Sequence, residues 1–226
     1  MINYHIITLF PEIFDWFVSS SIIGKAIVRW DISVNFINPR KWTTDKHHTV
    51  DDEIYGWWQW LLIKAEPIIL AVNDTIKNIW NPNFKIIYMA PSQINRNQQK
   101  AREYSKHEDI IIVCGRYEGI DHRFELYMQD NYIDHYAKIS IGQYVLMWWE
   151  VASMIIVEST ARLSDGVILA WAPQVESYDP NMNLSNIEFP QYTRPIDVLW
   201  YIVPEIMISG NHAEINKRRE SQYTIL

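Results

Sequence analysis

The sequence has one cysteine, Cys114, in 226 residues. A single thiol makes no intramolecular disulfide and excludes the four-ligand zinc sites assembled from cysteine pairs. Long apolar runs are missing too, since no stretch approaches the roughly 20 residues of a membrane span. No basic leader precedes the opening MINYHIITLFPEIF, which reaches Glu12 almost at once and reads as a first strand rather than a signal peptide. These absences predict a soluble, cytoplasmic protein with no membrane partner. Positive charge is scarce, the formal net charge being -7. Any surface for a polyanion must then be local, because phosphate recognition runs on Lys and Arg. The candidates are Lys25 and Arg29, the segments 40–46 and 96–106, and the tail residues Lys217, Arg218 and Arg219; each reads equally as a solvated face.

What is present is an alternation. Short runs rich in Ile, Val, Tyr and Phe at 4–10, 32–37, 84–89 and 110–114 predict strands. Between them, apolar residues at spacings of three and four predict helices over 11–29, 60–80 and 93–107, with a further helix over 147–163. The β-α-β-α order predicts an α/β fold with a mostly parallel sheet. Residues 164–190, rich in Pro, Asn, Asp and Ser, read as a flexible linker. The last segment, 191–226, is too short for an independent core. With 48% apolar residues the chain has enough material for one large core.

Five groups of residues invite chemistry. IIIVCGRYEGIDHR sets Gly115 and Gly119 directly after a buried-looking strand, with Arg116, Glu118, Asp121 and Arg123 around them. Strand ends of open α/β sheets are where ligands bind, and glycine there admits close backbone approach; a charged turn is the plain alternative. The spacing is neither G-x-G-x-x-G nor a Walker loop. SIGQYVL places Gly142 between short apolar stretches, as a ligand-binding loop or a simple turn. The polar cluster Asp45, Lys46, His47, His48, Asp51 and Asp52 has no i, i+4 histidine pair, so no metal is expected there; a loop touching substrate or partner and a solvated loop both fit. Cys114 ends an apolar run and reads as buried structure rather than nucleophile. The tryptophans at 57, 58, 60, 148 and 149 suit either base stacking or a core.

Taken together, TLFPEIF (8–14), GKA (24–26), NPRKWTTDKHHTVDD (38–52), VCGRYEGIDHR (113–123), SIGQYVL (140–146), FPQYTRP (189–195) and PEIMISGNHAEI (204–215) resemble the bacterial tRNA (guanine-N1)-methyltransferases, in the family's order and over nearly the whole chain. The resemblance implies a trefoil-knotted α/β catalytic domain over 1–163, a linker over 164–190, and a small helical, apparently truncated C-terminal domain over 191–226. It implies a homodimer with active sites at the subunit interface, S-adenosylmethionine as methyl donor, and N1 of guanosine 37 of tRNA, beside the anticodon, as acceptor. Donor-binding residues implied by matching loops are Pro91, Gly115, Glu118, Ser140, Ile141, Gly142, Gln143, Tyr144, Val145 and Leu146. Arg162 matches an arginine placed to steady charge on guanine O6. The carboxylate that removes the N1 proton matches Glu176, with Ser177 at the same place by ungapped counting and Asp179 in reserve.

The sequence also departs from that pattern. Trp57, Trp58 and Trp60 stand in the family's glycine-rich segment, and Trp148 and Trp149 at its Gly-Gly; Gln143 and Met147 replace Asp and Ser. About six residues are inserted within 125–139. An indole where backbone must touch a ligand predicts a clash. A catalytically inactive tRNA-binding or dimeric scaffold, its donor pocket filled by tryptophans, is therefore the alternative function, and a knotted methyltransferase acting on another RNA is a third. Gly to Trp is a single base change, which suggests a gene copy drifting under biased mutation or a translation of one.

Overall fold

The computed structural model describes residues 1–92, 96–169, 177–178, 186–222 and 224–225. It divides into two compact units, Met1–Ala170 and Trp171–Leu226.

The first unit is built on five parallel strands. They are β1 (Ile2–Ile7), β2 (Ile32–Ile37), β5 (Phe84–Met89), β6 (Asp109–Val113) and β7 (Tyr136–Ile139), in the spatial order β2-β1-β6-β5-β7. A sheet covered on both faces needs strands without a polar face, and all five residues of β6 are buried. Alternate residues serve opposite layers. Ile110, Ile112 and Cys114 join Ile87, Met89, Tyr4 and Ile6 on one face. Ile111 and Val113 join Ile86, Tyr88 and Ile7 on the other. Each fully buried isoleucine contributes about 1.5–3 kcal/mol by leaving water.

The first face is covered by α1 (Asp15–Ser19), α2 (Ser21–Val28), α4 (Gln98–Tyr104) and α6 (Trp149–Ala161). The second is covered by α3 (Ala65–Lys77) and α5 (Arg123–Tyr132). A hairpin outside the sheet, β3 (Asp51–Ile54) with β4 (Trp57–Ile63), precedes α3. Among the described residues no helix is long and apolar enough to cross a membrane.

Several expected boundaries move. The helix read over 60–80 starts only at Ala65. Leu61, Leu62 and Ile63 pair with Glu53, Asp52 and Asp51 instead. Pro67 explains the start, because its missing N–H is harmless only within a helix's first turn. The helix read over 11–29 breaks into a 3-10 turn at Pro11–Phe14, α1 and α2, with Ser20 extended between the last two. The helix read over 93–107 is described as α4, capped by the Asn97 side chain accepting from the Lys100 N–H at 2.9 Å; residues 93–95 lie outside the described residues. The region 125–139 carries an element the sequence reading missed, strand β7, and most of a second, α5.

In the second unit, β8 (Asn186–Ile187) pairs with a strand at Thr224–Ile225. Between them lie the hairpin β9 (Asp197–Val198) and β10 (Tyr201–Ile202), then α7 (Glu205–Ile208) and α8 (His212–Ser221).

Candidate active site

Parallel strands deliver all their C-terminal ends to one edge, where backbone groups are left for a ligand. Three neighbouring ends converge here: residues 90–92 after β5, 114–120 after β6, and 140–146 after β7. Their backbones are tied together. The Ala90 N–H donates to the Ile139 carbonyl at 3.0 Å, the Arg96 N–H to the Ser140 carbonyl at 2.8 Å, and the Ser92 hydroxyl to the Lys138 carbonyl at 3.1 Å. The hydroxyl of buried Ser140 donates to the Gly142 carbonyl at 2.9 Å and accepts from its N–H at 3.2 Å, closing the third loop on itself. A Cβ at Gly142 would run into the Tyr144 ring, so glycine is what the turn admits. Ile141 and Leu146 are half-buried, whereas Gln143, Tyr144 and Val145 are exposed. Pro91 and Glu118 are exposed at the same edge. The structure thus gathers every loop that the sequence nominated for the donor.

The hairpin holds the middle loop from outside. The Glu118 N–H donates to the Leu61 carbonyl at 3.2 Å, Ile63 to Gly119 at 3.0 Å, and Asp121 to Ile63 at 2.8 Å.

A charged group that the sequence did not flag lies beneath. Glu150 is 1% exposed in the first turn of α6, where the helix dipole favours a carboxylate. Its Oε1 accepts from the Thr8 hydroxyl at 2.8 Å, and its Oε2 lies 4.0 Å from Arg116 Nη1. The Arg116 guanidinium sits 4.7 Å from the Phe10 ring and 6.0 Å from the Trp148 ring. Thr8 and Phe10 belong to the TLFPEIF block, but only the fold reveals that this block faces Glu150. Cys114 is buried with its sulfur 2.9 Å from the Ser153 hydroxyl. Burial pushes its thiol far above the usual range, so it stays protonated and is no nucleophile.

Among the described side chains, one obstructs the space above Gly115. A Cβ at Gly115 would lie 2.8 Å from the Trp149 ring, so this indole occupies the space above the glycine. The ring lies 5.6 Å from that of Tyr88. Trp148, by contrast, is 42% exposed. The side chains of Trp57 and Trp58 lie outside the described residues.

Arg162 is not brought to these loops within one chain. It caps the C-terminal end of α6, which the Tyr4–Thr160 hydrogen bond (2.8 Å) and the Thr8–Glu150 bond hold antiparallel to β1. Thirteen residues of helix put it about 20 Å from Trp149. Glu176 and Asp179 lie outside the described residues, while Ser177 accepts from the Glu188 N–H at 3.0 Å within the second unit.

Part of the basic inventory is used internally. Arg29 pairs with Asp31 at 2.6 Å. Arg40 donates to the His48 carbonyl at 2.8 Å. Arg96 donates to Ser159 at 2.7 Å, and burial lowers its pKa to about 10. The loop around His47 and His48 is organised by Asp45, which accepts from the His47 N–H and from the Thr49 N–H and hydroxyl; the Thr49 bonds in particular hold its carboxyl below the usual range.

Comparison with known proteins relates the sequence to a family. The profile of the tRNA (Guanine-1)-methyltransferase TrmD family matches residues 2–225. A tRNA (guanine-N(1)-)-methyltransferase of Carboxydothermus hydrogenoformans is 40% identical over 217 residues, covering 96% of this chain and 81% of that protein. Those of Treponema denticola (38% identity; 96% and 84% coverage) and Mycoplasmopsis pulmonis (40%; 98% and 91%) are similarly related. With matches that run end to end and loops gathered at one sheet edge, the chain belongs to the tRNA (guanine-N1)-methyltransferase family.

Proposed function

We propose that this protein transfers a methyl group from S-adenosylmethionine to N1 of guanosine 37 in tRNA, beside the anticodon. The observation that carries the reading is the convergence of the 90–92, 114–120 and 140–146 loops at adjacent strand ends in a chain matched by the family from residue 2 to residue 225. A trefoil knot, formed where the chain following β7 threads these loops, and a cytoplasmic location belong to the same reading.

The donor supplies an electrophilic methyl group on a sulfonium. The chain's own part is to hold it by backbone groups of the three loops, with Pro91, Gly115, Glu118 and residues Ser140, Ile141, Gly142, Gln143, Tyr144, Val145 and Leu146 as its wall. Guanine N1 carries a proton, so a carboxylate must accept it as the lone pair is released; Glu176 is the residue assigned. Arg162 steadies the charge that develops on O6.

A homodimer supplies what one chain leaves apart. Val151 and Ile155 on α6 are 39% and 40% exposed, and with Ile13, Trp16, Phe17 and Trp148 they line an open groove of about 460 Å³. Residues 151, 155, 158 and 162 follow helical spacing on one stripe of α6, which puts Arg162 on the apolar face that a second copy would cover. In that assembly Arg162 reaches donor loops other than its own.

The experiment is methyl transfer to tRNA transcripts with G or A at position 37, in parallel with calorimetric titration of S-adenosylmethionine. Transfer confined to the G37 transcript supports the reading. Transfer independent of that base assigns the enzyme another target.

A further inference from the structure

Eleven tryptophans outnumber seven glycines in this chain, and the tryptophans sit in the wrong places for tryptophan. Large aromatic side chains are usually buried. Yet Trp16, Trp30, Trp60, Trp80, Trp148 and Trp200 are all exposed, Trp30 at 77% and Trp200 at 91%. The large fully buried aromatic side chains are tyrosines and phenylalanines instead.

The backbone says what belongs there. Trp30 follows α2 with φ +63°; its N–H donates to the Ile27 carbonyl at 3.1 Å, and the Asp31 N–H donates to Ala26 at 2.9 Å. That bond pair is the Schellman helix ending, whose left-handed residue is usually glycine because a Cβ is penalised there. Trp200 is the second residue of the two-residue loop joining β9 to β10, with φ +50° at Leu199 and +74° at Trp200. Positive φ at both positions defines the type I′ turn, in which the second residue is most often glycine. Trp148 occupies the cap of α6 without a side-chain hydrogen bond, a place glycine fills well and large side chains poorly. Trp149 presses its ring onto Gly115. Trp42 differs: its side chain packs against the second core layer, as a true tryptophan does.

We propose that positions 30, 148, 149 and 200 are glycine in the protein as its own cell makes it. The triplet written as tryptophan at these positions is read there as glycine, while the one at Trp42 is read as tryptophan. In this reading Trp42 is coded by UGG and the reassigned positions by UGA, which some codes read as tryptophan and which differs from the glycine triplet GGA only in its first base, so reassigning UGA alone suffices. Glycine at 149 removes the ring from above Gly115 and opens the cradle between the three loops.

The inference stands on backbone conformation and exposure at 30, 148 and 200 and on the ring contact with Gly115 at 149, independent of catalysis, and its first test needs no activity. Protein isolated from its native cells is digested with trypsin and its peptides are weighed and sequenced by mass spectrometry. Peptides 30–40 and 139–162 are expected to be lighter at each site by an indolylmethyl group less the hydrogen that replaces it, with the indole retained at Trp42. Tryptophan found at 30 and 148–149 in the native protein overturns the proposal. The gene is the second test: the four positions share one triplet and Trp42 has another, whereas a triplet common to both classes overturns it. A recombinant chain with glycine at all four positions is expected to melt at a higher temperature than the chain as written, and a lower melting temperature counts against the proposal.

Discussion

The Thr8 hydroxyl donates to Glu150 Oε1 across 2.8 Å, joining the end of the first strand to the first turn of α6 over 142 residues of sequence. Both groups are buried, and a hydrogen bond to a charged acceptor out of water contributes about 1.5–3 kcal/mol. Thr8→Val keeps the shape and removes the donor, leaving Glu150 with less compensation. Urea unfolding should show a loss of about 2 kcal/mol, while Thr8→Ser should lose clearly less. Equal losses would mean that the methyl group matters rather than the hydroxyl.

Trp149→Gly addresses the ring above Gly115. Removing it is expected to tighten S-adenosylmethionine binding by about tenfold or more, equivalent to ~1.4 kcal/mol, by calorimetry on the purified chain. Unchanged affinity would show that the indole is no part of the donor wall.

Ile155→Asp tests the apolar stripe of α6. A carboxylate at the centre of the face proposed for the dimer cannot be desolvated cheaply, so sedimentation should show the proposed dimer shifted to monomer, with the far-ultraviolet circular dichroism of the fold retained. A variant that remains a dimer would move the interface elsewhere.

Alkaline pH gives a fourth outcome. Burial raises both Tyr88 and Tyr104 from the ordinary tyrosine value to about 12. A folded-state pKa above the unfolded one means stability that is complete below pH 10 and is lost as pH rises toward 12, since the unfolded chain releases these protons first. The free energy of unfolding should therefore fall between pH 10 and 12, by on the order of a few kcal/mol in total. Phenolate absorbance of the native protein should lag that of the unfolded chain across the same range. Coincident titrations would place these rings in water.

The parallel sheet was readable because its inner strands are buried on both faces and its edge strand β2, though half-buried, is a run of Ile, Val and Phe. ISVNFI and FKIIYM fall at the expected positions, 32–37 and 84–89, and DIIIV lies within one residue of expectation. β7 was not readable: YAKI is short, half-buried and at the sheet edge, so it has neither a continuous apolar run nor a clean alternation. β4 was hidden by its bulky aromatics, which suit helix and strand periods alike, although Pro67 already ruled out a helix running through it. At the site, Gly115 and Gly142 announced themselves as glycines following strands. Glu150 and Thr8 did not, because their pairing exists only once α6 lies along β1.

Helix α6 is pinned near both ends by buried hydroxyls, Glu150 to Thr8 at one edge of the sheet and Thr160 to Tyr4 at the other. Sliding by one helical turn, about 5.4 Å, would break both bonds at once and leave polar groups stranded in the core. The helix therefore behaves as a ruler of fixed length between the strand-end edge of the sheet and Arg162. Whatever assembles around its far end meets the near end at a set spacing, independent of the loops that close over either.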